Sequence, residues 1–551
     1  MTPALTLRGS GVRNNLGDNQ VADHEQATQP PPVLGRVPFA RTILAVLVLV
    51  SILNFVDRQI LSILASRIKT DLLISDTQLG FLFGTAFAIF YAVFGVPLGV
   101  YADLGSRKKL IAWGLALWSA MTVLSGLASG FAGLAFARVG VGIGEASCSP
   151  AAYSLIADLF PRARRATALA IYSLGIYIGI GLGNLLGGYV VDGWSIAFPP
   201  GQAPFGLRGW QAAFILAGLP GLLLAPIVGR LREPLRGGLE GATTASHQDP
   251  LGEALREGLA LVPPFSFLRL SRDGTAASLR RNLSAFLILA LLSAAVSLML
   301  DDPVQWTCLA FGAYVMITMA QRLKAREPDA HALIFKTPSL RLATLGFSFL
   351  SFTGYAIGFW MAPFFIRFHG FSAAEIGWRL ALISAIGGGL GVTAGGALAD
   401  WLRLKTPNGR LMVGMMNALL PLPLLAATLS TGDRTSSLAL FFAVQVFAAM
   451  WLGAGSSTVQ DLVLPHMRAR ASAVFLLFVT LIGLALGPYA VGRLSDLWGD
   501  LRLALMAASI ANGIAFIFFV LATKTIEADE ATKLERVRTA LASLPPVISK
   551  G

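Results

Sequence analysis

Apolar runs of about twenty residues, separated by short polar turns, recur along almost the whole chain, and each is long enough to cross a hydrocarbon layer as a helix. Six lie at roughly 42–66, 78–102, 110–128, 131–157, 167–191 and 210–229. A polar, Arg-rich stretch over about 231–282 follows, and then six more runs at roughly 340–366, 376–399, 411–429, 437–462, 471–492 and 503–522. Between the two sets, 283–300 and 304–320 form a shorter apolar pair. Of the 551 residues, 55% are hydrophobic and 13% charged, whereas a soluble domain carries about 25% charged residues. The pattern predicts an all-α integral membrane protein, and its 58 glycines suit helices whose backbones approach closely.

Charge orients the spans. Arg107, Lys108 and Lys109 follow the second span, Arg162, Arg164 and Arg165 the fourth, Arg403, Lys405 and Arg410 the eighth, and Arg468 and Arg470 the tenth. The alternate loops are poor in Lys and Arg, so both termini are expected on the cytoplasmic side. The net charge of +13 reads as this loop bias; no basic face or recognition motif for nucleic acid is present. The extra pair fits the same scheme. Arg280 and Arg281 precede it, Arg322, Lys324 and Arg326 follow it, and its turn Asp301-Asp302-Pro303 is acidic. It reads as an in–out–in hairpin, giving fourteen spans; the alternative is an amphipathic pair lying on the membrane surface.

The expected division is a disordered cytoplasmic tail over 1–38, an N-terminal six-helix bundle over 39–230, a cytoplasmic linker over 231–282, a transmembrane hairpin over 283–322, a C-terminal six-helix bundle over 323–524 and a cytoplasmic tail over 525–551. No secretory signal peptide is expected, because the first apolar run begins near Ile43 behind a polar tail with Pro30-Pro31-Pro32.

Internal repeats point to the architecture. The pattern G-x-x-x-D ends the second span (Gly99–Asp103), the fifth (Gly188–Asp192), the eighth (Gly396–Asp400) and the eleventh (Gly492–Asp496). Asp158-Leu-Phe-Pro161 is similar to Asp461-Leu-Val-Leu-Pro465. Two six-helix halves, each made of two inverted three-helix repeats, resemble the major facilitator superfamily. The expected fold is therefore two pseudo-symmetric six-helix bundles with an extra two-helix hairpin between them. The loop GVYADLGSRKKL resembles that superfamily's signature after its second helix, with Gly99, Ala102, Asp103, Arg107, Lys108 and Leu110 matching and Leu104, Tyr101 and Ser106 departing. The resemblance implies that Asp103, with Arg107 beside it, and its mate Asp400 gate the carrier by latching helix N-termini across the seam in the outward-facing state. Gly175, Gly179, Gly183, Asn184, Gly187 and Gly188 resemble an antiporter signature with Asn184 in place of its proline. Helix packing with no bearing on direction is the other reading.

Ionisable residues inside the spans carry the candidate chemistry, since each costs at least about 2.5–3.5 kcal/mol to insert. Arg138 and Glu145 lie seven residues apart on the fourth span, two turns along one face. Asp57 and Arg58 lie on the first, in Asn54-Phe-Val-Asp57-Arg58-Gln59, and point about 100° apart. Asp57 is placed to meet Arg138 while Arg58 faces the cavity; the alternative is four charges that neutralise one another for folding.

NFVDRQ on the first span and RVGVGIGEASCSPAAYSLIADLFP on the fourth, with the GVYAD loop, make the chain resemble the Spinster family of that superfamily. The extra hairpin departs from the family's twelve-helix plan. The resemblance implies a secondary transporter of the bacterial inner membrane, exporting amphipathic cargo such as lysophospholipids or drugs in exchange for protons. It makes Asp57 and Glu145 the protonatable pair, Arg138 their partner, and Arg58 a contact for an anionic head group. Asn54 joins the substrate candidates, with Thr353, Tyr355, Trp360 and Gln445 on the opposite wall. Partners are then protons, the substrate and membrane lipids, for a monomer without cofactor or nucleic acid. The rival readings are a proton-coupled importer of small organic anions and a uniporter.

Other classes are disfavoured. The chain has no G-x4-G-K-[ST] loop and no H-E-x-x-H, and its five histidines fall in tails, loops or span ends. Cys148 and Cys308 suggest neither a disulfide nor a metal site.

Overall fold

The computed structural model describes residues 39–199, 202–237, 249–273 and 275–542. The tail over 1–38 lies outside the described residues.

Helices stand at each apolar run. The first half contains α1 (Ala40–Leu72), α2 (Asp76–Leu104), α3 (Arg107–Ser125), α4 (Phe131–Leu159), α5 (Arg162–Ala197) and α6 (Gly209–Arg230). Two short helices follow, α7 (Pro250–Leu259) and α8 (Phe265–Asp273), and then the hairpin α9 (Ala276–Leu300) and α10 (Pro303–Arg326). A connector α11 (Pro328–Lys336) leads into α12 (Pro338–His369), α13 (Ala373–Lys405), α14 (Gly409–Ser430), α15 (Arg434–Asp461), α16 (Pro465–Trp498) and α17 (Leu501–Thr523). The chain then runs through α18 (Ile526–Ala531) and α19 (Lys533–Ala542). Among the described residues, thirteen helices are long and apolar enough to cross a membrane. α3 stands beside them at its predicted place, but Arg107, Lys108 and Lys109 in its first turn dilute its hydropathy.

Packing repeats between the halves. α1 lies along α5, α2 along α4 and α3 along α6, as α12 lies along α16, α13 along α15 and α14 along α17. The halves meet where α1 faces α12, α2 faces α16 and α5 faces α13. Side chains repeat as well. Arg107 donates to the Ser154 carbonyl at 3.2 Å and pairs with Asp158; Arg410 donates to the Ser457 carbonyl at 2.9 Å and pairs with Asp461. In each half the acid lies 51 residues beyond its arginine. The side of the molecule holding these pairs is called the basic face below, and the opposite one the far face.

Arg107 is buried and also holds Glu233, which accepts from its backbone N–H at 2.9 Å and its Nε at 3.0 Å. Burial alone would raise the Glu233 carboxyl, but hydrogen bonds from Ser106 and Arg107 outweigh it and hold the group below the usual glutamate value. A depressed carboxyl stabilises the fold above its unfolded pKa of about 4.3, and that contribution disappears as pH falls through the folded value. Glu233→Gln is therefore expected to lower stability at neutral pH by roughly 1–3 kcal/mol. Melting curves of the two proteins in detergent should converge in acid; a constant gap down to about pH 3, well below that unfolded value, would contradict this.

The hairpin is fastened at both ends. Asn282 on α9 is buried and donates to Thr318 at 3.0 Å and Gln321 at 2.9 Å on α10, while Tyr314 donates to Asn282 at 2.6 Å and meets Ser266 of α8 at 2.5 Å. At the basic face Glu257 of α7 binds Arg322 at 2.6 Å and Arg326 at 2.8 Å. At the far face Asp302 accepts from Tyr489 of α16 at 2.8 Å, and the Leu300 carbonyl accepts from Arg493 at 2.7 Å. Between these ends, Gly312 of α10 sits on the α2–α16 seam. A Cβ there would lie 2.7 Å from Leu481 and 2.9 Å from Ile89, one residue from each half.

Candidate functional site

The four intramembrane charges converge, but with different pairing from that expected. Arg58 Nε donates to Glu145 Oε2 at 2.5 Å. Arg138 donates to two backbone carbonyls, Leu82 and Asp57, each at 3.3 Å. Glu145 is therefore paired with Arg58, not Arg138. Seven residues of helix separate Arg138 and Glu145 by about 10 Å along the axis, and the surface between them is filled. A Cβ on Gly142 would lie 2.5 Å from the Phe87 carbonyl of α2.

Local breaks in the helices make this geometry possible. α2 is interrupted at Gly84, and an interrupted helix leaves carbonyls without helical donors; Arg138 takes that of Leu82. α4 is interrupted at Ala146 and Ser147, directly after Glu145, because Pro150 has no N–H for the Ala146 carbonyl. The Arg58 guanidinium lies among three rings, 4.5 Å from the centroid of Phe87, 4.8 Å from Tyr91 and 5.0 Å from Phe55. Such cation–π contacts hold a desolvated cation in place without neutralising it.

A cavity of about 690 Å³ lies between the halves. Arg58 and Arg138 line it, and no Asp or Glu among the described residues does. The acids stand one layer behind: the Glu145 side chain is 0% exposed against 17% for Arg58, and Asp57 is buried. Asp57 Oδ1 and Glu145 Oε1 have no hydrogen-bond partner among the described residues. Most of the remaining wall is apolar or aromatic, including Phe55, Phe83, Phe87, Ile176 and Met361.

Of the other candidates, Tyr355 and Gln445 line the cavity, and Asn54 is buried one turn before Arg58. Thr353 and Trp360 do not line it. Thr353 Oγ1 faces the Ala508 carbonyl at 3.4 Å, and Trp360 Nε1 donates to the Pro488 carbonyl at 2.8 Å, which makes it a seam contact. Both lie on α12 faces turned toward neighbouring helices. Gln59 and Asn184, 3.4 Å apart across α1 and α5, also line the cavity, although the sequence motifs that contain them did not place them among the substrate candidates; their polarity inside apolar spans is the signal that marks them.

The four G-x-x-x-D repeats divide into two states. At the far face Asp496 accepts from the backbone N–H groups of Asp76 at 3.0 Å and Thr77 at 2.7 Å, the first turn of α2. Asp192 accepts from Ala374 N–H at 2.7 Å, the first turn of α13. Carboxylates at helix N-termini are favourable there. The glycines make room for them: a Cβ on Gly492 would lie 2.2 Å from the Asp76 carbonyl, and on Gly188 2.2 Å from that of Ala373. Both capped helices open with capping boxes, Ser75 with Gln78 and Ser372 with Glu375. Asp76 closes the same face further, bound by Arg367 at 2.7 and 2.8 Å and Lys69 at 2.7 Å. At the basic face the equivalent positions are disengaged. Asp103 is exposed, Asp400 is 77% exposed with Arg410 3.9 Å away, and a Cβ on Gly99 or Gly396 would meet nothing within 4 Å. Neither acid caps a helix across the seam here, and Arg107 serves as the intra-half anchor described above. The cavity's lining runs down to Tyr153, Gln460 and Ser472 on this open side.

A central chamber shut from one face by capped helix ends and reached from the other defines a membrane carrier. The chain belongs to the Major Facilitator Superfamily of secondary transporters, whose sequence model matches residues 47–488. Among its relatives, an MFS-type efflux pump of Mycolicibacterium smegmatis is 29% identical over 452 residues, covering 82% of this chain and 83% of that one. Protein spinster homolog 1 of Homo sapiens is 26% identical over 475 residues, covering 82% and 72%. The crystal structure of a bacterial homolog to the human lysosomal transporter Spinster, in an inward-facing and occupied conformation, superposes with a TM-score of 0.65 at 26% identity, over 90% of this chain and 99% of that one. Within the superfamily the chain is Spinster-like, and it is a multi-pass membrane transporter rather than an enzyme.

Proposed function

We propose that the chain exports amphipathic substrates, lysophospholipids or drugs, in exchange for protons, by alternating access across a bacterial inner membrane with its basic face and both termini in the cytoplasm. In that orientation the conformation is inward-facing. One observation carries the reading: Glu145 is sealed behind Arg58, which lines the cavity; in this reading Glu145 exchanges the proton and Arg58 meets cargo. Cargo that disturbs the Arg58–Glu145 pair changes the proton affinity of Glu145, because a buried carboxylate without its guanidinium favours the neutral form. A proton moving inward down about 100 mV gains roughly 2.3 kcal/mol, enough to bias a rocking equilibrium when protonation favours one state. The efflux-pump relative and the apolar wall support export of amphipathic cargo.

The sign of the coupling depends on the charge of the cargo. A cationic head group engages Glu145 and excludes the proton, which is exchange. An anionic head group draws Arg58 away and promotes protonation, so that cargo and proton load together. The two arginines lining a cavity without acids favour this second reading, co-transport of organic anions.

Proteoliposomes carrying an internal pH dye and an imposed gradient, challenged in turn with a lysophospholipid, a cationic dye and glucuronate, separate the readings. Acidification on the side that receives cationic or zwitterionic amphiphile would contradict exchange, and glucuronate-driven acidification of its receiving side would support co-transport. Equal fluxes with and without a gradient would leave only a uniporter.

A further inference from the structure

A second cavity, of about 870 Å³, lies outside the transport path at the basic foot of the hairpin. Its walls come from α8, the first turns of α9, the last turns of α10, α11 and Phe478 of α16. Five basic residues line it, Arg269, Arg281, Arg322, Lys324 and Arg326, and no Asp or Glu among the described residues does. Ser266, Ser278 and Gln321 add neutral hydrogen-bonding groups, while Met316, Ile317 and Phe335 give one side an apolar surface.

Positive loops flank membrane helices in general, so charge alone makes no site. Two further observations do. Glu257 takes Arg322 Nη2 and one side of Arg326, yet Arg322 Nη1 is buried with no hydrogen-bond partner among the described residues. A buried guanidinium N–H left unmade is costly unless something occupies the space before it. The hairpin rising from this cavity is also lipid-facing: Leu283, Leu287 and Leu291 of α9 are all exposed.

We propose that this cavity binds the phosphate head group of an anionic phospholipid, with Arg322, Lys324 and Arg281 around the phosphate and the acyl chains running up the apolar face of the hairpin. Basic pockets between membrane helices on the cytoplasmic side have the chemistry for such head groups. The site is independent of the transport cavity and of the direction of transport. It is built by the hairpin, and its occupant touches Phe478, one residue before the wide π turns of α16 at Val479–Ala485, so it bridges the hairpin to the C-terminal half.

The test is displacement of fluorescent phosphatidylglycerol from the purified full-length protein in detergent, with unlabelled phosphatidylglycerol, phosphatidylcholine and inorganic pyrophosphate as competitors. Arg281→Gln with Lys324→Gln should weaken binding by roughly 25-fold, about fivefold per charge. Lys324→Gln alone should give about fivefold and serves where the double variant misfolds. Lys109→Gln, on the same face but outside the cavity, should leave binding unchanged. Phosphatidylglycerol should compete and phosphatidylcholine should not. A loss as large for Lys109→Gln as for Lys324→Gln would reduce the effect to diffuse surface charge and overturn the site. Pyrophosphate displacing the probe better than phosphatidylglycerol would assign the cavity to a soluble phosphate and overturn the lipid assignment.

Discussion

Proteoliposomes containing Glu145→Gln are expected to lose substrate-driven proton movement almost completely, because an amide side chain has no titratable proton to exchange. Expression, detergent elution and thermal melting should change far less. Glutamine has the same shape, and its carbonyl still accepts from Arg58 Nε, which stays seated among Phe87, Tyr91 and Phe55. Glutamine cannot take up a proton. The variant should therefore bind cargo and exchange it between equal pools while carrying no proton with it. Undiminished proton flux in a well-folded Glu145→Gln would reduce the acid to a fastener between α1 and α4.

Gly492→Leu and Gly99→Leu are expected to push the carrier in opposite directions. A side chain on Gly492 would begin 2.2 Å from the Asp76 carbonyl, and both atoms belong to helix ends with no room to withdraw while the far face stays shut. The far-closed state should become inaccessible, leaving a carrier trapped open on that side. Gly99 holds the same place in the repeat at the basic face, where a Cβ meets nothing within 4 Å. Leucine there is tolerated in the conformation described and obstructs its mirror image, so the protein should be held in the present state. Since moving an equilibrium from 1:99 to 99:1 takes about 5.5 kcal/mol and a backbone overlap supplies at least that order, both variants should stop turnover almost completely. Labelling of single cysteines at Thr77 and at Ser472 reads the outcome. Labelling at Thr77 should rise and at Ser472 fall for Gly492→Leu, with the reverse for Gly99→Leu. The same direction of change in both would dismiss the symmetry argument.

Much of this was legible in the chain. Membrane helices announce themselves because every backbone polar group must be satisfied inside the segment, so length and hydropathy alone place them. The four G-x-x-x-D repeats were visible too, as were Asp57, Arg58, Arg138 and Glu145, since charge inside an apolar run is conspicuous. Pairing was not. Spacing along one helix puts Arg138 and Glu145 on a common face, but what fills that face comes from α2, and no local pattern states that Phe87 would occupy it. The same limit misplaced Thr353 and Trp360. A polar or aromatic residue in mid-span announces that it needs a partner without saying whether the partner is cargo or the neighbouring helix. Which latches are closed is a property of one conformation, and the repeats carry no record of it. The capping boxes at Ser75 and Ser372 are the local sequence signal for the helix ends that receive the far-face aspartates.

The hairpin has a mechanical meaning for such a machine. Its far end is tied to α16 through Asp302 and Tyr489, and its near end reaches α7, which packs on α2, through Glu257 and Arg322. A diagonal brace anchored to different lobes at top and bottom must stretch whenever they tilt apart. Tilting of the lobes is therefore resisted by the two polar ties at the ends of this brace, Asp302–Tyr489 and Glu257–Arg322, one of which must yield as the lobes part.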